Sequence, residues 1–276
     1  MFRGFSILVR GGGDLGSGVA FRLTRSGFPV VVSEQAFPLA VRLGASFARA
    51  VWDEEAQVDG LTARRVGTIE AIQKSWGEGI LPIVVAPEWG LWDGLNIAAV
   101  VDARMLKQAG APLSHRQLLH IGLGPGFRAG VDCDAVVETQ RGHWLGRVHW
   151  QGGAADDSGL PDEVHGHQAE RVVRAPAAGV LAGRVAIGAV VHLGDLLAEV
   201  GGVEVRATIP GALRGLVHEG AMVSRGMKIG DIDPRGVRAY CFSISDKALA
   251  VGGGVLAAVL ESPHFRKTAG QAVPRG

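Results

Sequence analysis

The chain has only two cysteines, one tyrosine and 12 prolines in 276 residues. Cys133 and Cys241 lie far apart and form neither a CxxC nor a Cys/His spacing, which excludes a disulfide framework and a zinc module and fits a reducing cytoplasm. Tyr240 is the single tyrosine and position 244 is Ile, so the YxxxK pair of a short-chain dehydrogenase acid is absent. Charge of one sign is also scarce. The net charge is +1 with no long run of Lys or Arg, so a grip on nucleic acid by bulk charge is excluded and any anionic partner must be held locally. No uncharged stretch approaches the roughly 18 apolar residues that span a bilayer. The first apolar run, Ile7-Leu8-Val9, is bracketed by Arg3 and Arg10 and is too short for a signal peptide; the expectation is a protein neither secreted nor embedded.

What is abundant is glycine, 42 residues without a collagen period. At a prior of about 150 residues per domain the length predicts two compact units. Residues 1–168 read as an α/β, Rossmann-like, mostly parallel sheet domain that ends in a linker. Its apolar runs Ser6-Arg10, Val30-Ser33, Ile80-Val85, Ala98-Asp102, Leu118-Gly122 and Ala135-Glu138 lack strict alternation, as strands buried on both faces should. Between the first two, apolar residues at 15, 19, 20 and 23 form a helical stripe, and Gly27 stands where a C-terminal glycine cap belongs. The small, polar stretch 151–159, followed by Pro161, is read as the linker.

Residues 169–236 contain an internal repeat. Val173–Gly194 aligns without gaps on Val205–Gly226 with eleven identities in 22 positions at a period of 32. Each copy is too small to close a core, so two copies should interlock about a pseudo-twofold axis as a small all-β module. Ala175-Pro176-Ala177-Ala178-Gly179-Val180-Leu181 and Val191-His192-Leu193-Gly194-Asp195-Leu196 resemble the biotinyl/lipoyl-type barrel-sandwich fold. That resemblance implies a modified lysine on the hairpin between the halves, and Glu199–Val205 contains none, which points away from a swinging-arm carrier toward docking or shielding. Residues 237–276 are expected to pack back on the first unit: a strand over Tyr240–Ser245, a helix from Asp246 to Leu260 interrupted at Gly252-Gly253-Gly254, and a frayed tail.

Gly11-Gly12-Gly13-Asp14-Leu15-Gly16 is a GxGxxG directly after a strand and opening a helix. Gly11 permits the tight turn, Gly13 the approach of a phosphate and Gly16 the meeting of helix and strand; Ser17 lies in the same first turn, where helix amides face an anion. Glu34, closing the second strand, is placed to bond a ribose hydroxyl, whereas Asp14 opposes a pyrophosphate. The alternative is a tight turn with no dinucleotide. A second glycine loop, Gly122, Gly124 and Gly126 followed by Arg128, can form an amide nest or a plain turn. In the polar run that follows, Arg141, His143 and Arg147 could clamp phosphate or carboxylate, with Glu138 or Asp132 as acid or base. Cys133 sits between Asp132 and Asp134, which disfavours a thiolate nucleophile. His165 and His167, with His143 and His149, assure no third metal ligand, so no metal is expected. Asp233-Pro234-Arg235-Gly236 and Ser245-Asp246-Lys247 are compact polar clusters: Ser245 can cap the last helix, while Lys247 and the glycine turn Gly252-Gly253-Gly254 could return to the first unit and close over a ligand.

In order along the chain, RGGGDLGSGVAFRL, GLGPGFRAG, ETQRGHWLGRV, ERVVRAPAAGV, KIGDIDPRG and CFSISDKALAVGGGVL resemble the accessory-protein family of selenium-dependent molybdenum hydroxylases, the YqeB family. Gly12 and Gly16 stand where that family is expected to have Ala, and Trp144 where a polar residue is usual. The resemblance implies a cytoplasmic accessory protein that matures a molybdenum hydroxylase client of the xanthine dehydrogenase type. The ligand expected is a small anion, a dinucleotide such as NAD or a molybdopterin-type cofactor, held between the glycine loops with Arg141, His143 and Arg147 orienting its far end. The rival expectations are a NAD-dependent oxidoreductase and a non-catalytic assembly scaffold. Neither nucleic acid nor membrane is an expected partner, and a homo-oligomer stays open.

Overall fold

The computed structural model describes residues 2, 4–86, 92–107, 118–157 and 163–271. Arg3, residues 158–162 of the linker, and the last five residues of the tail lie outside them.

The chain begins with β1 (Ser6–Arg10), α1 (Asp14–Arg25), β2 (Val30–Glu34), α2 (Ala50–Asp53), β3 (Glu55–Val58), β4 (Leu61–Arg65), α3 (Ile69–Gly77), β5 (Leu81–Val85), α4 (Trp92–Leu95), β6 (Ile97–Asp102) and β7 (Leu119–Leu123). It continues through β8 (Arg128–Ala129), β9 (Ala135–Val137), β10 (Val148–His149) and β11 (Gly152–Gly153). Nine of these strands form one sheet in the order β10-β9-β7-β6-β1-β2-β5-β4-β3, parallel throughout except at its two edges. The edge hairpin β3–β4 turns through Asp59 and Gly60, both at positive φ; an Asp-Gly turn of this kind matches the twist of the strands. Strand order reverses at β1, which has β2 on one side and β6 on the other.

Alternation along the central strands explains why the apolar runs are continuous. Ile7, Val9, Val30 and Val32 face α1 and the later helix α5, while Leu8, Val31 and Val100 face Ile72 of α3 and Leu95 of α4. Both faces are thus covered, each fully buried aliphatic side chain contributing about 1.5–3 kcal/mol at the upper bound.

The second half has β12 (Val172–Arg174), β13 (Gly179–Gly183), β14 (Val190–Val191), β15 (Leu196–Val200), β16 (Val203–Arg206), β17 (Gly211–Leu216), β18 (Met222–Val223) and β19 (Lys228–Asp233), all in antiparallel sheets. The two repeat copies exchange strands symmetrically. Gly179 of β13 pairs with Val223 of β18, and Gly211 of β17 pairs with Val191 of β14. Leu181, Val191, Leu213 and Val223, equivalent in pairs, share one core. The molecule is therefore a mixed α/β protein with a large, mostly parallel sheet plus antiparallel sheets.

Three local expectations fail after β19. Tyr240–Ser245 is not a strand: Arg238–Cys241 forms a 3-10 turn, because the carbonyls of Tyr240 and Ser243 are turned toward the buried guanidinium of Arg42 at 2.9 and 3.0 Å. The helix after it, α5 (Asp246–Glu261), runs unbroken through its three glycines. Two of them are contact points, not breaks: a Cβ on Gly252 would stand 2.6 Å from the Gly18 carbonyl of α1, and one on Gly254 would collide with the Gly146 carbonyl. Finally, the tail is helical as α6 (Pro263–Gln271), anchored by Phe265 among Phe2, Phe5 and Phe28. Among the described residues no helix is long and apolar enough to cross a membrane.

Candidate functional site

The first glycine loop is closed by its own surroundings. Gly11 and Gly12 are buried and Gly13 is the N-cap of α1. Close packing of Gly16 on the Gly11 carbonyl leaves no room there for a side chain. The Gly12 amide, free to meet a phosphate in an open loop, donates to Glu34 Oε2 at 2.7 Å, and the other Glu34 oxygen accepts from the Gln35 amide at 2.7 Å. Ser17 Oγ donates to the Gly12 carbonyl and accepts from the Phe47 amide, both at 2.9 Å. The Ala48 amide bonds that same Gly12 carbonyl. Burial raises the Glu34 pKa above the usual carboxylate value, against the pull of those two amides.

The second loop is a packed turn. Gly122 lies against the Phe127 ring, Gly124 has φ +76° with its amide on the Val137 carbonyl, Gly126 is buried, and Arg128 is exposed on a two-residue strand. The two loops follow β1 and β7, and β6 runs between them. The segment that leaves β6 packs against both loops expected to hold the ligand: Gly11 backs onto its Ala103, and Gly124 onto its Met105.

The remaining expected residues scatter. Glu138 is buried and accepts the Gln140 and Ala155 amides at 2.7 and 2.8 Å. The Cys133 thiol is buried, donates to the Ala135 carbonyl at 3.2 Å, and is pushed up to about 12, by burial first and then by Asp132 and Asp134. Arg147 lies 3.9 Å over the Trp144 ring, with His143 edge-on to that ring. His165, at positive φ, sits in a tight turn closed by the Val164–His167 bridge. Of the predicted clamp only Arg141 reaches a large cavity, held by Asp246 through two 2.6 Å hydrogen bonds.

That cavity, about 600 Å³, lies where the N-termini of α1 and α5 meet the strands β17 and β19. Seven cationic side chains and four carboxylates line it. Ser245 caps α5, its Oγ accepting the Ala248 amide at 3.1 Å, and so presents Asp246 and Lys247 to the opening. Most of the lining charges are spent on one another. Arg42 holds Asp14 at 2.6 Å, buried Arg171 holds buried Asp231 at 2.8 Å, and Arg235 forks onto fully buried Asp233 at 2.8 and 2.6 Å while stacking on Tyr240.

Arg214 is the exception. Only 9% exposed, it makes no hydrogen bond among the described residues, its buried Nε is without a partner as is that of Arg42, and, unlike that of Arg42, its nearest carboxylates, Asp233 and Asp231, stand no closer than 3.7 and 3.9 Å. Burial lowers its pKa, repulsion from Arg42 lowers it further, and Asp231 and Asp233 oppose both; an arginine nevertheless remains charged at neutral pH. A buried guanidinium with idle donors is destabilising until an acceptor reaches it. Lys228 beside it has no ion pair among the described residues. It is solvent-accessible, yet the protein around it still desolvates its ammonium and lowers its pKa, Asp231 opposing and Arg171 adding to the effect.

Sequence reasoning missed Arg42, Arg171, Arg214 and Lys228. The repeat carried one signal, since Arg214 stands opposite Ala182 at the period of 32: an arginine replaces an apolar residue on a strand buried along its whole length.

No protein-family model matches the chain. It is 45% identical over 258 residues to the uncharacterized protein YqeB of Escherichia coli (strain K12), a match covering 94% of this chain and 48% of that protein. The match supports the YqeB family. This chain spans about half the length of the curated relative it matches. Solved structures resemble it only weakly. The product-bound ectoine utilization protein EutE (DoeB) from Ruegeria pomeroyi is 12% identical with a TM-score of 0.23, covering 82% of this chain and 52% of that one. A short chain dehydrogenase from Mycobacterium thermoresistibile is 13% identical at 0.25, covering 48% and 55%. An aspartoacylase family protein from Mesorhizobium loti is 13% identical at 0.28, covering 83% and 84%. Likenesses of this size carry no argument about fold or chemistry.

Proposed function

We propose that this chain is an accessory protein that matures a molybdenum hydroxylase of the xanthine dehydrogenase type, in a selenium-dependent system, and that it binds a nucleotide or molybdopterin-type anion as cargo. The observation that carries the binding half is Arg214, a buried guanidinium with idle donors facing a cavity of ligand size. An anion there would complete a hydrogen-bonding set the protein leaves open, and would bring its own charge to the cationic side chains around it. The seat is accordingly the cleft between α1, α5 and the repeat half, which Asp14 and Leu15 of the first glycine loop help to line. The client and the selenium dependence rest on the family resemblance.

A Rossmann-like reading of the first half is supported by its strand order, which reverses at β1 as in doubly wound sheets. A barrel-sandwich reading of the second is supported by the symmetric strand exchange between copies. The oxidoreductase reading has less support, because Glu34, expected on a ribose hydroxyl, is already bonded by the Gly12 and Gln35 amides. The scaffold reading draws on Leu193, Met222 and Val190, apolar side chains exposed on the repeat half.

Calorimetric titration of the full chain with inorganic phosphate, ATP, CTP, NAD and a pterin dinucleotide, against Arg214→Ala, tests the proposal. Binding of at least one anion that Arg214→Ala abolishes, with loss of client activation in the same variant, is the expected result. Absence of any binding, together with unimpaired client activation by Arg214→Ala, would leave only the scaffold.

A further inference from the structure

A second cavity, about 740 Å³, adjoins the first, and Arg141, Glu163 and Lys247 line both. The two differ in chemistry. The first is walled by Arg214, Lys228 and their ion-paired neighbours. The second has Met105, Leu106, Pro125 and Ala155 on its walls, Thr139, Gln140 and Gln168 as neutral polar groups, and Lys107, Asp156 and Asp157 at its charged side, Lys107 pairing Asp157 at 3.7 Å. Gly124 shapes that wall: a Cβ there would stand 2.9 Å from Thr139 Oγ1 and 3.2 Å from Met105 Cε, so the bare backbone lets both side chains close in. Met105 is 40% exposed and itself at positive φ, an awkward place for a large apolar residue unless its thioether has something to cover.

Between the halves stands the Arg141–Asp246 pair, and this ion pair leaves the carboxylate of Asp246 neutralised where a ligand would pass. Asp14 and Asp231 are likewise held by Arg42 and Arg171, which leaves exposed Glu163, common to both cavities, as the carboxylate of the first cavity that no arginine bonds among the described residues.

We infer that the two cavities are halves of one site for a phosphate-bearing planar heterocycle, the phosphate seated against Arg214 and Lys228 and the ring lodged among Met105, Leu106, Pro125 and Gln140. This rests on the anion-binding reading above and adds polarity to it: charge at the repeat-domain end, ring at the end nearer the second glycine loop. A nucleotide and a pterin phosphate share the required chemistry.

The test uses the full chain and four probes: inorganic phosphate, an unphosphorylated pterin, a pterin phosphate and a nucleoside monophosphate. Phosphate should bind, and a phosphate-bearing ring should bind about tenfold tighter through its contacts with the thioether and the apolar wall. Whichever of the two rings shows the gain names the source. Gln140→Trp, at an exposed position, should fill the ring half and remove that gain while leaving inorganic phosphate unaffected; Met105→Ala should reduce it. Arg214→Ala should abolish binding of every phosphate-bearing probe, and Arg214→Lys, which keeps the charge and loses the fork, should recover part of it. If phosphate binds but neither ring gains, or the gain survives Gln140→Trp, the two-halved site is refuted and the anion seat stands. If phosphate does not bind, the anion seat itself falls.

Discussion

The three glycines inside α5 make a sharp test, because they are consecutive on one helix yet meet different surroundings. Gly253 faces open space, with no atom within 4 Å of an added Cβ. Gly253→Ala therefore only relieves the penalty of glycine in a helix and should stabilise the protein by roughly 0.5–1 kcal/mol. Gly252 is pressed against α1, its added Cβ 2.6 Å from the Gly18 carbonyl and 2.8 Å from Arg22 Cγ. The arginine stem can swing away, but the carbonyl belongs to the helix backbone, so α1 and α5 must separate. Overpacking of this kind costs about 1–3 kcal/mol, which exceeds the propensity gain and leaves Gly252→Ala less stable by up to about 2 kcal/mol. Gly254 meets the Gly146 carbonyl still more closely, so Gly254→Ala should lose more. Midpoints of urea unfolding, followed by circular dichroism, would read the order 253 above wild type, then 252, then 254. In melting temperature the steps are about 2–4 °C per kcal/mol for a protein near this size. If all three variants shift in the same direction, backbone contact between the helices is not what selects glycine here.

Three further outcomes are expected. Asp231→Ala takes the carboxylate from buried Arg171, 2.8 Å away, and should lower stability by about 3–5 kcal/mol; a change under about 1 kcal/mol in urea unfolding would contradict the burial argument. Asp233 and Asp246 both titrate below the ordinary aspartate value: at Asp233 burial pushes upward but Arg235 outweighs it, and at Asp246 hydrogen bonding by Arg141 dominates. Each thus contributes stability above about pH 3.9 that is lost as pH falls toward its folded value. Asp246 contributes little, being mostly exposed, so Asp233→Asn should flatten the acid limb of the stability curve, and an unchanged limb would overturn the assignment. Both thiols are buried with raised pKa values, Cys133 at about 12; the folded protein should not react with a thiol-specific disulfide reagent near about pH 8, and a stoichiometric titre without unfolding would refute this.

Much of the scaffold was readable along the chain. Continuous Val/Ile/Leu runs identify the central strands because both faces of the sheet are covered, and a period of 32 identifies two interlocking halves. The edge hairpin β3–β4 went unnoticed although Asp59-Gly60 marks its turn. Glycine misled twice, for opposite reasons. At Gly252 and Gly254 the missing Cβ admits a neighbouring backbone and does not end a helix. In the Gly11–Gly16 loop the bare backbone of Gly16 admits the Gly11 carbonyl, and the Gly12 amide goes to Glu34, the acid expected on a ribose. Local pattern reports that a backbone is bare, not what lies against it.

Sequence by itself determined the element types of the sheet, the repeat and the near-neutral net charge, since these follow from periodicity and composition. Tertiary structure alone decided where a ligand could sit. Arg42, Arg171, Arg214 and Lys228 span almost two hundred positions, and only Arg214, where the first repeat copy has Ala182, departs from its local pattern. Whether a guanidinium is spent or idle depends on which distant carboxylate reaches it, and hydrogen bonds act only over about 3 Å, a distance that folding sets and spacing along the chain does not.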